Sequence, residues 1–400
     1  MTRGVLCATC AVLLVITVCI GCGGNNSQTT GTAPPPPPST SYFAYVTYGD
    51  SGKLITYSDV SGKLTAIGSA IGAAQACGLT VSPNNKFLYV AICAVGSTPP
   101  IGSIQPYSIN SSTGELTAVG NETVVNIPSS SNGYITPLVV APNGKFAYVV
   151  NEGSAQQSVV IYSVGSDGSL TAVGSPVAFN NNGWIHISLA IAPSGNFVYL
   201  AYWGLGEVYA YAVDSNSGGL TPVSGSPFAV NDGTIGGPAS QDPVALAVAA
   251  SGNYLYAPDG DGSVSMFSVA SATGALTAMN YYYADTGNGG GPMVIDSAGT
   301  QAYMQCTGNG WVAAYSINAA TGTLNQIGLT KGSVVNGQGI ALDPAGAYLY
   351  ALWTENPSAS GGGGEVSIYS IDSASGALTY IGPVAGSSGT TPSSIAFATE

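Results

Sequence analysis

Thr136-Pro-Leu-Val-Val-Ala-Pro-Asn-Gly-Lys-Phe-Ala-Tyr-Val-Val-Asn151 is the stretch that decides the fold. One apolar run ends in Pro142-Asn143-Gly144, and a second begins at Phe146 and carries Tyr148. Two short apolar runs around Pro-Asn-Gly read as two strands joined by a tight turn. The phrase returns as Gly78-Leu-Thr-Val-Ser-Pro-Asn-Asn-Lys-Phe-Leu-Tyr-Val90 and as Ser188-Leu-Ala-Ile-Ala-Pro-Ser-Gly-Asn-Phe-Val-Tyr-Leu200. It appears again as Gly339-Ile-Ala-Leu-Asp-Pro-Ala-Gly-Ala-Tyr-Leu-Tyr350.

A second signpost follows each hairpin. Gly62-Lys-Leu-Thr-Ala-Ile-Gly68, Gly114-Glu-Leu-Thr-Ala-Val-Gly120 and Gly168-Ser-Leu-Thr-Ala-Val-Gly174 are its clearest copies. Its leucines are Leu64, Leu116, Leu170, Leu220, Leu276, Leu324 and Leu378, between 48 and 56 residues apart. Between hairpin and signpost lies a third strand, such as Ser158-Val-Val-Ile-Tyr-Ser-Val164 or Glu365-Val-Ser-Ile-Tyr-Ser-Ile371. Four antiparallel strands in a unit of about 50 residues are the pattern of a propeller blade. Seven signposts predict an all-β, seven-bladed β-propeller. The first unit, from Phe43, lacks its innermost strand, and the chain finishes on Pro392-Ser-Ser-Ile-Ala-Phe-Ala398, a first strand with no hairpin partner. The C-terminal strand is therefore expected to complete the first blade and leave no open sheet edge. A solenoid would not need complementary leftovers at its two ends.

Charged residues make up only 6% of the chain and the net charge is −13. The cations are Arg3, Lys53, Lys63, Lys86, Lys145 and Lys331. Nucleic acid binding needs a basic stripe to neutralise phosphates, and none exists.

Residues 1–22 read as a lipoprotein signal peptide. Arg3 precedes the apolar run Val5 to Ile20, which is too short to span a membrane as a helix. The run ends in Cys19-Ile20-Gly21-Cys22, which resembles a bacterial lipobox and makes Cys22 the lipidation site. A lipid-anchored protein of the cell envelope follows, at the outer membrane or periplasmic face, or a secreted one if the lipobox is not used. Residues 23–41 form a Gly/Ser/Pro-rich linker in which Pro34 to Pro38 favour a semi-rigid polyproline II spacer. Residues 42–400 hold the propeller. In an oxidising compartment a disulfide is allowed. Cys77 and Cys93 flank the Asn84-Asn85 turn at nearly equal distances, so antiparallel pairing predicts a bridge between them, with Cys306 a buried thiol.

The Pro-x-Gly-x-Phe-x-Tyr-Val-x-Asn phrase, the Tyr-containing third strand and the Gly-x-Leu-Thr signpost resemble the lactonase-like seven-bladed propellers. That group includes the 6-phosphogluconolactonase-type enzymes and the Tyr-Val-Thr-Asn repeat proteins. The resemblance covers residues 42–400 and implies the fold directly. It also implies hydrolysis of a sugar lactone by imidazole and cationic groups on one face of the ring. Family members often carry His-x-His before an inner strand and a stretch like Asp-Leu-Gly-x-Asp-Arg after the following one. The corresponding region here reads Trp184-Ile-His-Ile-Ser188, then Tyr202-Trp-Gly-Leu-Gly-Glu207. His186 and Glu207 are thus the catalytic candidates. His186 is the only histidine, Glu207 stands where an Arg is expected, and no Arg follows Arg3. A phosphorylated lactone needs cations for its phosphate and for the developing oxyanion. These departures favour a non-catalytic ligand- or protein-binding module, with lactonase chemistry as the alternative.

In a propeller, the loops entering first strands and those leaving second strands share the face around the channel mouth. Trp184, Tyr202, Trp203, Trp311, Trp353 and Glu355 are the ligand-binding candidates assigned to that face. Aromatic faces beside carboxylates suit sugars or a cation. Plugging of the channel by the same aromatics is the competing account. Asp259-Gly-Asp-Gly-Ser263 is read as a hairpin turn. Its oxygen spacing resembles a calcium loop, but no bidentate acid follows at the right distance, so no metal is expected. No cofactor is expected either. The expected partners are a glycan or protein ligand at the channel mouth and a membrane reached through the lipid anchor, with the propeller itself a monomer.

Overall fold

The computed structural model describes residues 41–49, 51–93, 102–125, 137–151, 157–179, 187–230, 242–279, 282–283, 289–332, 335–355, 364–384 and 391–399. The signal segment, Cys22 and residues 23–40 of the linker lie outside the described residues. The chain from Ser39 to Glu400 forms one compact unit of seven antiparallel sheets.

Each sheet is a blade, and the repeated phrase builds its two inner strands. In blade 3 the strands Leu138–Val140 and Phe146–Asn151 pair across the Pro142-Asn143-Gly144 turn, where Gly144 N donates to Ala141 O at 2.8 Å. Asn143 Oδ1 accepts from Lys145 N at 2.9 Å, a local bond that suits Asn to this turn. The third strand is Ser158–Val164, and the signpost leucine Leu170 opens the outer strand Leu170–Ala172. The other six signpost leucines likewise open or lie next to the opening of an outer strand. In blades 2 to 5 the outer strand is broken in two, and both pieces pair with the third strand.

The ring closes as its leftover strands required. The C-terminal strand Pro392–Thr399 takes the innermost place in blade 1, beside Ser41–Tyr48, in register from Tyr42↔Thr399 to Tyr48↔Pro392. Turns between first and second strands lie on one face. Connections from second to third strands, and the segments leading into first strands, lie on the other, which is the mouth face.

There is no single central core. Seven apolar clusters each straddle one junction between neighbouring blades. Strand alternation explains this, since successive side chains of an inner strand face opposite neighbours. In blade 4, Tyr199 and Ala201 pack toward blade 5, whereas Val198, Leu200 and Tyr202 pack toward blade 3.

The Phe-x-Tyr of the repeated phrase and the Gly of the signpost are two halves of one inter-blade latch. In five blades the Tyr hydroxyl of the second strand reaches the Gly carbonyl in the outer turn of the next blade. Tyr45 donates to Gly114 O at 3.1 Å, Tyr148 to Gly218 O at 3.1 Å and Tyr199 to Gly274 O at 3.3 Å. Tyr256 donates to Gly322 O at 2.8 Å and Tyr303 to Gly376 O at 3.2 Å. The side chain two residues earlier, an aromatic such as Phe43, Phe146 or Phe197 but Gln301 in blade 6, lies against the same glycine, with no room for a Cβ. Blade 2 varies this: Phe87 covers Gly168, but the Tyr89 hydroxyl finds no partner among the described residues. The seventh latch joins the chain's two ends. Tyr348 covers Gly62, and Tyr350 donates to Asp59 Oδ2 at 2.8 Å while Asp59 Oδ1 accepts from Gly62 N at 3.0 Å. Burial holds the Asp59 carboxyl above the usual carboxylate range, against the pull of the Tyr350 bond.

Cys77 and Cys93 are joined by a disulfide with Cα atoms 5.8 Å apart, tying the inner strand of blade 2 to the end of its second strand. In the chain-entropy account a loop of this length contributes about 3 kcal/mol. Cys306 is a buried thiol in the cluster between blades 5 and 6.

Candidate functional site

The inner strands of all seven blades begin around an axial cavity of about 350 Å³ on the mouth face. Leu79, Leu138, Leu246 and Met293 supply apolar wall, and Ser188, Gln338, Ser393 and Ser394 supply polar groups. Among the described residues no ionisable side chain lines it, Cys77 being held in its disulfide. The serine hydroxyls stitch one blade to the next. Ser188 Oγ accepts from Leu246 N at 3.0 Å, Ser394 Oγ accepts from Leu79 N at 3.1 Å, and Ser393 Oγ donates to Ala76 O at 3.0 Å.

The five lysines of the propeller all stand away from this cavity wall. Lys53 and Lys331 sit on the mouth face, but on a third and an outer strand. Lys63, Lys86 and Lys145 lie at turns on the opposite face. Lys331 Nζ stands 5.6 Å from the centroid of the Trp311 ring, within cation–π range.

Around the cavity, the loops of blades 4 to 7 are joined into a rim by backbone hydrogen bonds and one to the Asp242 side chain. Gly204 N donates to Asp242 Oδ1 at 3.0 Å, and Gly260 N donates to Asp242 O at 3.0 Å. Gly290 N donates to Asp259 O at 3.0 Å, Thr307 N to Gly289 O at 3.1 Å and Asn336 N to Thr307 O at 2.9 Å. Trp203 projects from this rim with 38% of its surface exposed, and Leu205 beside it with 37%. The Asp259-Gly-Asp-Gly-Ser263 stretch is a hairpin turn, closed by Asp259 N donating to Ser263 O at 2.8 Å. Its first carboxylate is fully buried. Burial pushes the Asp259 carboxyl up to about 7, with the neighbouring Asp261 charge adding and hydrogen bonds from Ser265 and Ser263 opposing.

Of the six aromatic and acidic candidates, the four whose side chains are described, Tyr202, Trp203, Trp311 and Trp353, do not converge. Trp203 is on the rim. Trp311 opens the third strand of blade 6 and is half-buried, out beside Lys331. Tyr202 and Trp353, expected to face a ligand, are fully buried instead. Tyr202 packs edge-on to Phe179, with centroids 6.4 Å apart, in the blade 3–4 junction. Trp353 lies in the blade 6–7 junction because its strand, Tyr348–Glu355, runs on past the expected loop boundary. Glu355 ends that strand, and its side chain is outside the described residues, as are Trp184 and His186. Glu207 opens the third strand of blade 4, half-buried and opposite Tyr202. What the sequence reading missed is the Asp242 cap on the Trp203 turn, 38 residues away, and the burial of Asp259.

These features define a seven-bladed propeller with an axial cavity that carries no charge among the described residues, under a rim that presents Asp242 and Trp203. The chain belongs to the family described as lactonase, seven-bladed β-propeller, whose model matches residues 104–400. Among solved structures, a Bacteroides fragilis protein assigned provisionally as a 6-phosphogluconolactonase superposes with a TM-score of 0.73 at 20% identity, covering 91% of this chain and 100% of that one. A periplasmic gluconolactonase of Pseudomonas aeruginosa gives a TM-score of 0.73 at 17% identity, covering 90% and 99%. A Lactobacillus plantarum protein gives 0.69 at 18% identity, covering 90% and 99%. At these identities the likeness is one of fold. No curated protein sequence matches the chain.

Proposed function

We propose that this chain is a ligand-binding propeller of the cell envelope, taking an uncharged, hydroxyl-rich ligand of the glycan class at the channel mouth without turning it over. The uncharged cavity wall carries this reading. Among the described residues, a wall of backbone groups, Ser188, Gln338, Ser393 and Ser394 offers neutral hydrogen bonds and no counter-charge for a phosphate. Trp203, exposed on the rim beside the Asp242-capped turn, offers the stacking face. Purified protein is expected to bind neutral glycans on an array, with the signal lost in Trp203→Ala and the melting temperature unchanged. An unaltered array profile in that variant would remove the rim from the site.

The second reading is a hydrolase of sugar lactones. It is supported by the family and by what the Bacteroides fragilis and Pseudomonas aeruginosa neighbours are described as doing. The same preparation is expected to leave gluconolactone and its 6-phosphate at the spontaneous rate. Turnover above that rate, lost in His186→Ala, would establish the hydrolase instead.

The envelope assignment rests on residues 1–22, with Cys22 as the acylated residue and residues 23–41 as spacer. Cys22→Ser is expected to shift the protein from the membrane to the soluble fraction. Membrane association unchanged in that variant would remove Cys22 as the anchor.

A further inference from the structure

Two carboxylate oxygens in the blade 5 turn are buried and have no hydrogen-bond partner among the described residues: Asp259 Oδ1 and Asp261 Oδ2. Each is the idle half of a carboxylate whose other oxygen is fully engaged. Asp259 Oδ2 accepts from Ser263 Oγ at 3.2 Å, Ser265 N at 3.2 Å and Ser265 Oγ at 2.8 Å. Asp261 Oδ1 accepts from Ser263 N at 2.9 Å and Ser263 Oγ at 2.7 Å. Both carboxylates thus converge on the single hydroxyl of Ser263. Above them the backbone closes tightly: Gly290 approaches the Asp259 carbonyl so nearly that a Cβ there would overlap it.

A buried carboxylate oxygen left unsatisfied costs at least as much as any lost hydrogen bond, and such atoms are rare in native proteins. Two in one five-residue turn require a common cause. A single cation held between the two carboxylates would satisfy both. Asp259, Asp261 and Ser263 stand at alternate residues, the spacing at which oxygen ligands of calcium loops occur. The donors are all hard oxygens, which select calcium-class cations over zinc or copper.

We propose that the Asp259–Ser263 turn is a calcium-class cation site, held by the Asp259 and Asp261 carboxylates, that locks the blade 4–6 rim around the channel mouth. No later bidentate acid is needed, because the remaining ligands can be backbone carbonyls and solvent. Asp259 and Asp261 are the only acids it uses, in keeping with the absence of any convergent group of three metal-ligating side chains among the described residues. The rim connection is direct. Gly260 N holds Asp242, which caps the Trp203 turn, and the Asp259 carbonyl holds Gly290.

The test uses the full chain stripped with a chelator and titrated with calcium chloride, followed by calorimetry and thermal unfolding. Binding is expected at about 0.1–1 mM, the range of extracellular calcium modules. Melting should rise with calcium. Asp261→Asn should weaken the affinity at least ~10-fold, as loss of a charged ligand does. Asp259→Asn should abolish the response. Asp167→Asn, on an exposed turn of blade 3, should leave it intact and so separates the site from diffuse binding to an acidic surface. Absence of heat or thermal shift up to about 10 mM, well beyond that range, overturns the proposal. So does an unchanged response in Asp261→Asn, whose partly exposed position makes it the variant that folds even if Asp259→Asn does not.

Discussion

Deleting residues 392–400 is expected to abolish cooperative unfolding of the propeller, not merely to lower its midpoint. The Pro392–Thr399 strand supplies the inner edge of blade 1 through seven register pairs with Ser41–Tyr48. It is also the meeting point of three blades. Ser393 and Ser394 bond to Ala76 O and Leu79 N of blade 2, and Phe397 packs on Tyr350 of blade 7 with ring centroids 5.0 Å apart. Its loss would leave the ladder edge of Ser41–Tyr48 bare and uncover Tyr45 and Val46, both fully buried in the closed ring. Losing that many ladder bonds and apolar contacts exceeds ~5 kcal/mol, the scale of a whole domain's stability. Urea unfolding followed by circular dichroism is the measurement. A single transition close to the wild-type midpoint would show that the ring does not depend on its closing strand.

The second large effect is expected at a glycine. Gly274 and Gly144 both sit in the left-handed region, at φ of 73° and 68°. Alanine at either position carries a backbone cost of about 1 kcal/mol. Their surroundings differ completely. A methyl at Gly144 meets nothing within 4 Å, whereas a methyl at Gly274 falls onto the Phe197 ring of the preceding blade. Gly274→Ala must therefore push Phe197 out of the junction or break the Tyr199–Gly274 bond, at a further cost of about 3 kcal/mol. Equilibrium unfolding should give a loss of about 4 kcal/mol for Gly274→Ala and about 1 kcal/mol for Gly144→Ala. Equal losses would mean that the latch is only a turn.

That comparison also marks what a single sequence can show. The strands, their turns and the number of blades were legible, because alternation and turn chemistry are local and seven copies reinforce one another. The closing strand was legible as a leftover. The latch was not, although both of its halves stood out as motifs. Tyr199 and Gly274 are 75 residues apart, and nothing in either names the other. The site was read less well for a related reason. Aromatic residues near a strand end look like loop residues when the strand is taken one or two residues too short, and this misplaced Trp353 and Tyr202 on the surface. One residue of alternation decides whether such a side chain meets solvent or a neighbouring blade. Asp259 was correctly placed in a turn, but its burial comes from Ser265 and from the approach of Gly290, neither visible locally.

The latch has a direction. Every blade gives with its second strand, through a Tyr hydroxyl in all but blade 2 and through the Phe87 ring there, and receives at its outer turn, so the two sides of a blade are complementary and not alike. A head-to-tail contact of this kind has no natural stopping point: it ends in a ring if the rotation closes and in a filament if it does not. Within one chain, Tyr350 meeting Asp59 is the step that stops it. A molecule opened at that junction would present a giving face at one end and a receiving face at the other. Any two such molecules could then join, and the product would still have both ends free. Closure of the ring therefore also removes the two free faces from which such a chain could grow.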